Sequence, residues 1–196
     1  VVVGMEITTL DGHLVGLFLE DPVRSWQSLA KTVDAVHSQG GLCVVPHPMS
    51  WLTRSVSRTI LDAVCAGQHP GTYLDGIELV NGTIAGRISA EKAKDRNERL
   101  YKLSETGGSD AHFLTTVGQG RTIFPGRSAY DLRRSILDGT TKAVAGAPVS
   151  LRKIGYKQVI RQLGRGLVVV PFRLANRSLR ALWRVHRHEN SSRFSL

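Results

Sequence analysis

Residues 25–48, SWQSLAKTVDAVHSQGGLCVVPHP, indicate the fold class, because a helix pattern runs directly into a strand pattern. Apolar residues at positions 26, 29, 30, 33 and 36 have the spacing of an amphipathic helix. We expect Ser25 to cap this helix and Gly40 to end it. The run GLCVVPHP that follows is typical of a buried strand, and it ends at a proline-flanked histidine, His47.

The same alternation of strand and helix patterns continues over roughly the first 145 residues. Further strands are predicted at VVVGMEIT (1–8), HLVGLFLE (13–20) and LDGIELVNG (74–82). Further helices are predicted at SRTILDAVCAG (57–67), SAEKAKDRNERLYKLSET (89–106) and SAYDLRRSILDGT (128–140). Strands that alternate with helices at this spacing predict parallel α/β units.

Composition limits the class of protein. The 196 residues are 41% hydrophobic and 21% charged, as expected for one globular domain or one domain with an appendage. No apolar run approaches the length of a membrane span, so we predict no transmembrane segment. Cys43 and Cys65 lack the paired spacing of a metal site, which favours a reducing compartment, and we expect a cytoplasmic protein.

The net charge of +10 is unevenly placed. Residues 1–150 contain 15 basic and 15 acidic residues, whereas residues 151–196 contain 11 basic residues and one acid, Glu189. The basic character therefore belongs to the C-terminal segment. The first 150 residues do not form a basic protein.

A second stretch, TGGSDAHFL at residues 106–114, places a carboxylate and an imidazole close together. Asp110 and His112 are two residues apart, so on an extended strand end their side chains point the same way. Such a pair could hold one metal ion or act as an acid/base pair. An ordinary turn is the third alternative.

Polar residues follow several predicted strands, where the working residues of α/β folds lie. They are Glu6, His13, His47, Asn81, Asp110 and His112. One glutamate, one aspartate and three histidines are the ligand set of a divalent metal site, which activates water for phosphate ester hydrolysis. No serine or cysteine nucleophile motif and no Walker loop competes with this interpretation.

Each of these residues also has a structural alternative. Asp110 alone is typical of a turn or helix N-cap, His47 of a rigid turn, and His13 after Gly12 of a loop. Glu6 is harder to explain structurally, because a carboxylate at the end of an apolar strand rarely lacks a partner. We expect structural roles for the remaining histidines, which are His37, His69, His186 and His188.

Four stretches resemble the PHP (polymerase and histidinol phosphatase) domain, in the branch of small phosphoesterases that act on nucleotides. GMEITT (4–9) and GHLVGLFL (12–19) are similar to its glutamate strand and to the histidine before its next strand. VHSQGGLCVVPHP (36–48) and DGIELVNG (75–82) are similar to its histidine-proline segment and the strand that follows. TGGSDAHFLTTVGQGRTIFPG (106–126) is similar to its Asp-x-His signature, Gly-rich stretch and T-x-F-x-G turn.

The resemblance implies a distorted (β/α)7 barrel that holds up to three divalent ions, manganese, zinc, iron or magnesium, at the carboxyl ends of its strands. By the same resemblance Glu6 bridges two ions, and His13 and His47 bind one of them. Asp110 ligates an ion and His112 a further ion beside the substrate, so these two are the implied catalytic residues. Asn81 is expected to contact the substrate.

The family pattern begins with a His-x-His strand, an aspartate and a further histidine, whereas this sequence begins at the glutamate strand. We therefore expect the chain to be the C-terminal part of the domain, with the N-terminal strands missing. The expected source is an active enzyme, of which the 196-residue piece alone is inactive and binds metal poorly.

We expect residues 1–148 to form the partial PHP domain and residues 149–196 a basic extension. One hypothesis is a metal-dependent phosphoesterase for a nucleotide, a nucleoside bisphosphate or a short oligonucleotide. The other is a non-catalytic PHP-like binding protein whose extension contacts nucleic acid or an anionic membrane. Leu179, Leu182, Trp183 and His186 would share one stripe of a helix in this extension, as in an interfacial helix.

Overall fold

A computed structural model describes residues 1–147 and 149–164 of the chain. The chain divides into two compact units, Val1–Pro148 and Val149–Leu196. In the second unit the described part consists of two short helices, α5 (Leu151–Ile154) and α6 (Tyr156–Gly164). The predicted interfacial helix around Trp183 lies outside the described residues.

The first unit contains a five-stranded sheet, in the order β1-β2-β3-β4-β5, and a two-stranded sheet, β6-β7. The strands are β1 (Gly4–Thr8), β2 (His13–Leu17), β3 (Leu42–Val45), β4 (Gly76–Asn81), β5 (Ser104–Gly108), β6 (Gly120–Ile123) and β7 (Lys142–Ala145). The mixed α/β class is confirmed. No closed barrel is found among the described residues, so the (β/α)7 arrangement stays a prediction.

The prediction of parallel units is right for β3, β4 and β5, which pair in parallel, and wrong for β1 and β2. The hairpin between β1 and β2 has only the four residues 9–12 between its strands, too few for the crossover that a parallel pair needs. β2 is antiparallel to both of its neighbours, so β1 runs in the same direction as β3. The start of β2 therefore lies at the edge of the sheet where the parallel strands end.

The described residues of the first unit contain four α-helices, α1 (Leu29–His37), α2 (Arg58–Cys65), α3 (Ile84–Arg96) and α4 (Ala129–Leu137), and a short 3-10 helix at Leu114–Thr116. Ser28, and not the predicted Ser25, caps α1 by accepting a hydrogen bond from the amide of Lys31. Residues 25–28 precede the helix because the backbone amide of Trp26 pairs with Thr8, which ties this segment to the end of β1. α3 continues into a π-helical turn, Asn97–Tyr101.

The core of the first unit lies between the sheet and helices α1 and α2. β3 is buried along its whole length, and both α1 and α2 turn apolar side chains inward. The completely buried side chains of the core cluster are Ile7, Leu14, Val33, Val36, Cys43, Val45, Val56, Leu61, Ile77 and Ala93. Ile7 and Leu14 pair across the β1–β2 hairpin and point into this core. Glu6 and His13, one residue away along each strand, therefore point to the other face.

No helix in the described part of the chain has both the length and the apolar character to cross a membrane.

Candidate metal centre

The β1–β2 hairpin brings Glu6 and His13 together. Glu6 lies opposite Val15 and Thr8 lies opposite His13, so Glu6 and His13 are diagonal neighbours on one face of the pair. The Nδ1 atom of His13 lies 2.8 Å from Glu6 Oε1. This contact lacks hydrogen-bond geometry, and among the described residues no group forms a hydrogen bond with the buried His13 Nδ1.

His47 completes the cluster from the segment after β3. Its ring lies 5.5 Å from the ring of His13, centroid to centroid, and its Nε2 atom lies 3.4 Å from Glu6 Oε1. The ligand atoms of Glu6, His13 and His47 all lie within 4.8 Å of one another. Only 4% of the His47 side chain is exposed, whereas Glu6 is exposed to about half, so the cluster opens to solvent on the glutamate side.

Ser55 determines which nitrogen of His47 faces the glutamate. Its hydroxyl donates its one hydrogen to the carbonyl of His47 at 2.7 Å, so it accepts from His47 Nδ1 at 2.9 Å. In the neutral ring the proton is therefore on Nδ1, and the lone pair of Nε2 faces the carboxylate of Glu6. Two acceptors face each other here, and a proton or a metal cation between them would relieve their repulsion.

The electrostatics of the Glu6, His13 and His47 cluster favour a bound positive charge. The neighbouring imidazoles of His13 and His47 hold the pKa of the Glu6 carboxyl well below its usual range. Burial opposes the charged form of His47, but the hydrogen bond to Glu6 and the charges of Glu78, Glu6 and Asp110 outweigh it, so the pKa of His47 is raised. The carboxylates thus favour a cation at the His47 ring.

This donor set fits a divalent metal ion. Two imidazoles and one carboxylate are ligands that zinc, manganese and iron accept in proteins. The buried His13 Nδ1 without a hydrogen-bond partner and the lone pair of His47 Nε2 are both free to coordinate.

Asp110 and His112 lie after β5, but not in the extended conformation that was one of the alternatives the sequence left open. Asp110 has a φ of 43°, in the left-handed region, so the strand alternation stops there. The Nδ1 atom of His112 lies 2.9 Å from the carbonyl of Asp110 and 3.7 Å from its carboxylate Oδ1. Asp110 is close enough to His47 and Glu78 to shift the pKa of each, whereas neither Asp110 nor His112 belongs to the three-ligand cluster among the described residues.

Asn81 is the last residue of β4, and its side chain forms hydrogen bonds that stabilise the fold. Its amide nitrogen donates to Glu78 Oε2 at 2.8 Å, and its oxygen accepts from the amide and hydroxyl of Thr83, the N-cap residue of α3. Asn81 is only 5% exposed. Its contact with a substrate stays a prediction.

Glu78 is a residue at this edge of the sheet that sequence reasoning left without a role. Its Oε2 accepts the backbone N–H of His47 at 2.7 Å as well as the amide of Asn81. Burial raises the pKa of the Glu78 carboxyl, against the hydrogen bonds from Asn81 and His47. The signal in the sequence is an acid between buried Ile77 and Leu79, a position that demands a partner.

A second cluster of ligand-type residues, His37, Cys43 and Asp75, lies at the amino ends of β3 and β4. Asp75 Oδ2 lies 2.8 Å from His37 Nε2 and accepts the backbone N–H of Cys43 at 2.7 Å. The ring of His37 also stacks on Tyr73 at 4.1 Å. Sequence reasoning assigned His37 a structural role, and the hydrogen bond to Asp75 supplies a partner for it.

Two comparisons address the family. Residues 91–141, which include Asp110 and His112, match the family described as PHP-associated. The fold is similar to the crystal structure of a two-domain protein from Bacteroides vulgatus that contains a predicted PHP-like metal-dependent phosphoesterase, with a TM-score of 0.51 and 22% identity. That match covers 74% of this chain and 44% of the other. Part of the chain is thus similar in sequence to the PHP-associated family, and its fold is similar to that of a PHP-like protein.

Two relatives of this chain come from Methanocaldococcus jannaschii. The uncharacterized protein MJ1587 is 35% identical over 81 residues, which are 41% of this chain and 42% of the relative. The uncharacterized protein MJ0417 is 32% identical over 121 residues, which are 62% of this chain and 50% of the relative. The chain therefore spans half or less of the length of these relatives.

Proposed function

We propose that this chain supplies part of the active site of a metal-dependent phosphoesterase. The substrate we propose is a phosphate ester of a nucleotide, a nucleoside bisphosphate or a short oligonucleotide. The observation that carries the proposal is the convergence of Glu6, His13 and His47, in which one nitrogen of each imidazole faces the same carboxylate oxygen. The match of residues 91–141 to the PHP-associated family and the similar fold of a predicted PHP-like phosphoesterase support the same reaction class.

Glu6, His13 and His47 would hold a divalent cation, and Asp110 and His112 would serve it or a neighbouring ion from the end of β5. When bound, such a cation supplies Lewis acidity toward a phosphoryl oxygen and lowers the pKa of water. The carboxylate of Glu6 is placed between the two imidazoles and keeps its negative charge at neutral pH. Ser55 keeps the proton of neutral His47 on Nδ1, so that Nε2 stays available as a ligand.

His112 is the residue of this set best placed to meet a substrate. About half of its side chain is exposed, and its Nδ1 is anchored to the carbonyl of Asp110, which leaves Nε2 directed elsewhere. An exposed imidazole beside a carboxylate is suited to bind a phosphate oxygen or to transfer a proton.

The two free cysteines, Cys43 and Cys65, support the expected reducing, cytoplasmic setting.

The test uses the complete protein that contains these residues, stripped of metal with a chelator and reloaded with Mn²⁺. Phosphate release from a panel of nucleotides and short oligonucleotides is measured for wild type, Glu6→Gln, His47→Ala and Asp110→Asn. His69→Ala is the matched control, because His69 is exposed in a turn away from the cluster. We expect Mn²⁺-dependent release by wild type and the control only. Release by Glu6→Gln and His47→Ala at the wild-type rate would exclude the proposed mechanism and favour a non-catalytic binding protein.

For the basic segment 151–196 we propose contact with an anionic partner, RNA or an anionic membrane, because it contains 11 basic residues and one acid. Deleting the segment should weaken binding to RNA or anionic vesicles without loss of small-nucleotide hydrolysis. Binding of the intact protein should fall steeply as salt increases, and salt-independent binding would contradict the proposal.

A further inference from the structure

Glu78 connects the ends of three neighbouring strands. One carboxylate oxygen, Oε2, accepts the backbone N–H of His47 after β3 and the side-chain amide of Asn81 at the end of β4. The other, Oε1, packs against Gly108 at the end of β5, where a Cβ atom would overlap with it. A single side chain thus contacts all three strand ends at the edge of the sheet where the metal centre lies.

His47 needs such a contact because its backbone is in an unusual conformation. Its φ is 32°, in the left-handed region that residues with a Cβ rarely adopt. Ser55 bonds its carbonyl and its Nδ1 atom, and Glu78 bonds its backbone N–H. These three bonds fix both the backbone and the ring, and thereby the direction of Nε2 toward Glu6.

The sheet around Glu78 is adapted to this contact. The pairing of β4 with β5 shifts register between Glu78 and Val80, which lie opposite Thr106 and Gly107. A bulge of this kind redirects a side chain, and such bulges are common beside active sites. Gly108 leaves the space that Glu78 Oε1 occupies. The bulge and the glycine both serve a carboxylate that is not itself in the three-ligand cluster.

We propose that Glu78 is a positioning residue that holds His47 in its left-handed conformation and so keeps Nε2 directed at Glu6 and ready to bind a cation. The consequence for catalysis rests on the proposed function, whereas the consequence for the His47 ring does not. Outer contacts that orient a histidine ligand typically change metal affinity by roughly 10–100-fold.

The test compares Glu78→Ala with Glu78→Gln in the complete protein. Ring ¹⁵N chemical shifts of His47 in the metal-free protein, at a pH where the ring is neutral, report the tautomer. Mn²⁺ titration reports cation affinity. We expect Glu78→Ala to move the ring from the Nδ1–H tautomer toward Nε2–H and to weaken Mn²⁺ binding by about 10-fold or more. Glu78→Gln should stay close to wild type in both, because its amide oxygen still accepts the His47 N–H.

Glu105→Ala is the matched control. Glu105 lies on the neighbouring strand β5 opposite Ile77, and its carboxylate also accepts a backbone N–H, that of Ala143, away from the metal centre. It should leave the His47 tautomer and the Mn²⁺ affinity unchanged. If Glu78→Ala behaves like Glu105→Ala in both measurements, the proposal is overturned.

Gly108→Ala tests the same contact without removing a charge, and it decides the question if Glu78→Ala does not fold. The added methyl group would displace Glu78 Oε1, so we expect the same change of the His47 tautomer. An unchanged tautomer in Gly108→Ala would also count against the proposal. If wild type fails to bind Mn²⁺, the proposed function is wrong. The role of Glu78 is still tested in that case, because the His47 tautomer is measured in the metal-free protein.

Discussion

A cluster of histidine with a carboxylate lies at each end of the parallel strands. The two clusters differ in whether their polar atoms have hydrogen-bond partners. At the amino ends, Asp75 accepts from the Cys43 amide and lies at hydrogen-bond distance from His37 Nε2. At the carboxyl ends, the buried His13 Nδ1 has no hydrogen-bond partner among the described residues, and His47 Nε2 faces Glu6 as an acceptor. Histidine and carboxylate thus form a closed network, in which each polar atom named has a partner, at the amino ends. At the carboxyl ends they form an open network, in which His13 Nδ1 has no hydrogen-bond partner among the described residues.

This difference teaches that ligand-type residues and short distances do not by themselves indicate a metal site. In the amino-end cluster of His37, Cys43 and Asp75, binding an ion would break existing hydrogen bonds and deprotonate a deeply buried thiol. In the carboxyl-end cluster of Glu6, His13 and His47, an ion would satisfy the buried His13 Nδ1 atom, which has no hydrogen-bond partner among the described residues. We therefore expect ion binding to involve one cluster and folding stability the other.

The largest expected effect is on cation binding. Glu6→Gln should weaken Mn²⁺ binding by the complete protein by about 100-fold or more, since even outer contacts of a metal site are worth roughly 10–100-fold. His37→Ala should leave the affinity unchanged, because His37 belongs to the other cluster. Isothermal titration of both variants checks this, and equal losses of affinity would remove the distinction between the clusters.

The next effect is on stability. Asp75→Ala leaves the buried N–H of Cys43 and the His37 ring without their acceptor, so we expect a loss of roughly 1–3 kcal/mol in the free energy of unfolding. Urea denaturation of the metal-free protein measures it. Phosphate release per folded molecule should stay at the wild-type level, and a large loss of turnover in the folded variant would show that the amino-end cluster also serves the reaction.

The thiols provide a further test with a pH dependence. Burial, with the nearby charge of Asp75, raises the pKa of Cys43 well above its usual range, whereas burial raises that of Cys65 to about 11. A thiol whose pKa is raised in the fold contributes stability below the pKa of the unfolded thiol, about 8.5, and this contribution is lost as the pH rises above that value. Stability should fall above about pH 8.5, and less so in Cys43→Ala measured against its own maximum.

Reactivity distinguishes the two thiols at fixed pH. At pH 8 a disulfide reagent should modify partly exposed Cys65 before fully buried Cys43. Rapid modification of Cys43, or a thiolate-to-metal absorption band on adding Co²⁺, would show an ionised sulfur and an open amino-end cluster.

The smallest expected effect concerns Tyr73, which stacks on His37 at 4.1 Å from an exposed position. Tyr73→Ala should reduce stability by about 0.5–1.5 kcal/mol, the range for aromatic pairs. Thermal unfolding measures this loss, and Tyr73→Phe is the control that keeps the ring. A changed Mn²⁺ affinity in Tyr73→Ala would indicate coupling between the clusters.

Local patterns predicted the elements well where one face of a segment is buried. The apolar spacing around Val33 and the run through Val45 predict α1 and β3, because burial imposes a period of 3.6 on a helix and a continuous apolar run on a buried strand. The N-cap at Ser28 was missed because the apolar pattern of the helix included Trp26. In the structure Trp26 precedes the helix, and its backbone amide bonds to Thr8 at the end of β1. β6 and β7 were missed because their residues are mostly exposed and carry little apolar signal.

For the candidate site, residue types were predictable and their mutual arrangement was not. An acid after an apolar strand and a histidine between prolines identify Glu6 and His47 as residues that need partners. Glu78 could not be given a role, because its partner is the backbone N–H of His47, 31 residues away in the chain. Every residue except proline has a backbone N–H, so the residue type of a partner does not show such a bond. The left-handed Asp110 was likewise invisible to a rule based on strand alternation.

The sequence by itself determined the α/β class, the list of ligand-type residues and the location of the excess positive charge, because burial periodicity and side-chain chemistry are local properties. Only the tertiary structure decided that β1 and β2 form an antiparallel hairpin, that Glu6 meets His13 and His47, and that the His37 network is closed. Strand direction and hydrogen-bond matching depend on residues far apart in the chain, and a local pattern contains no information about which distant partner each group will find.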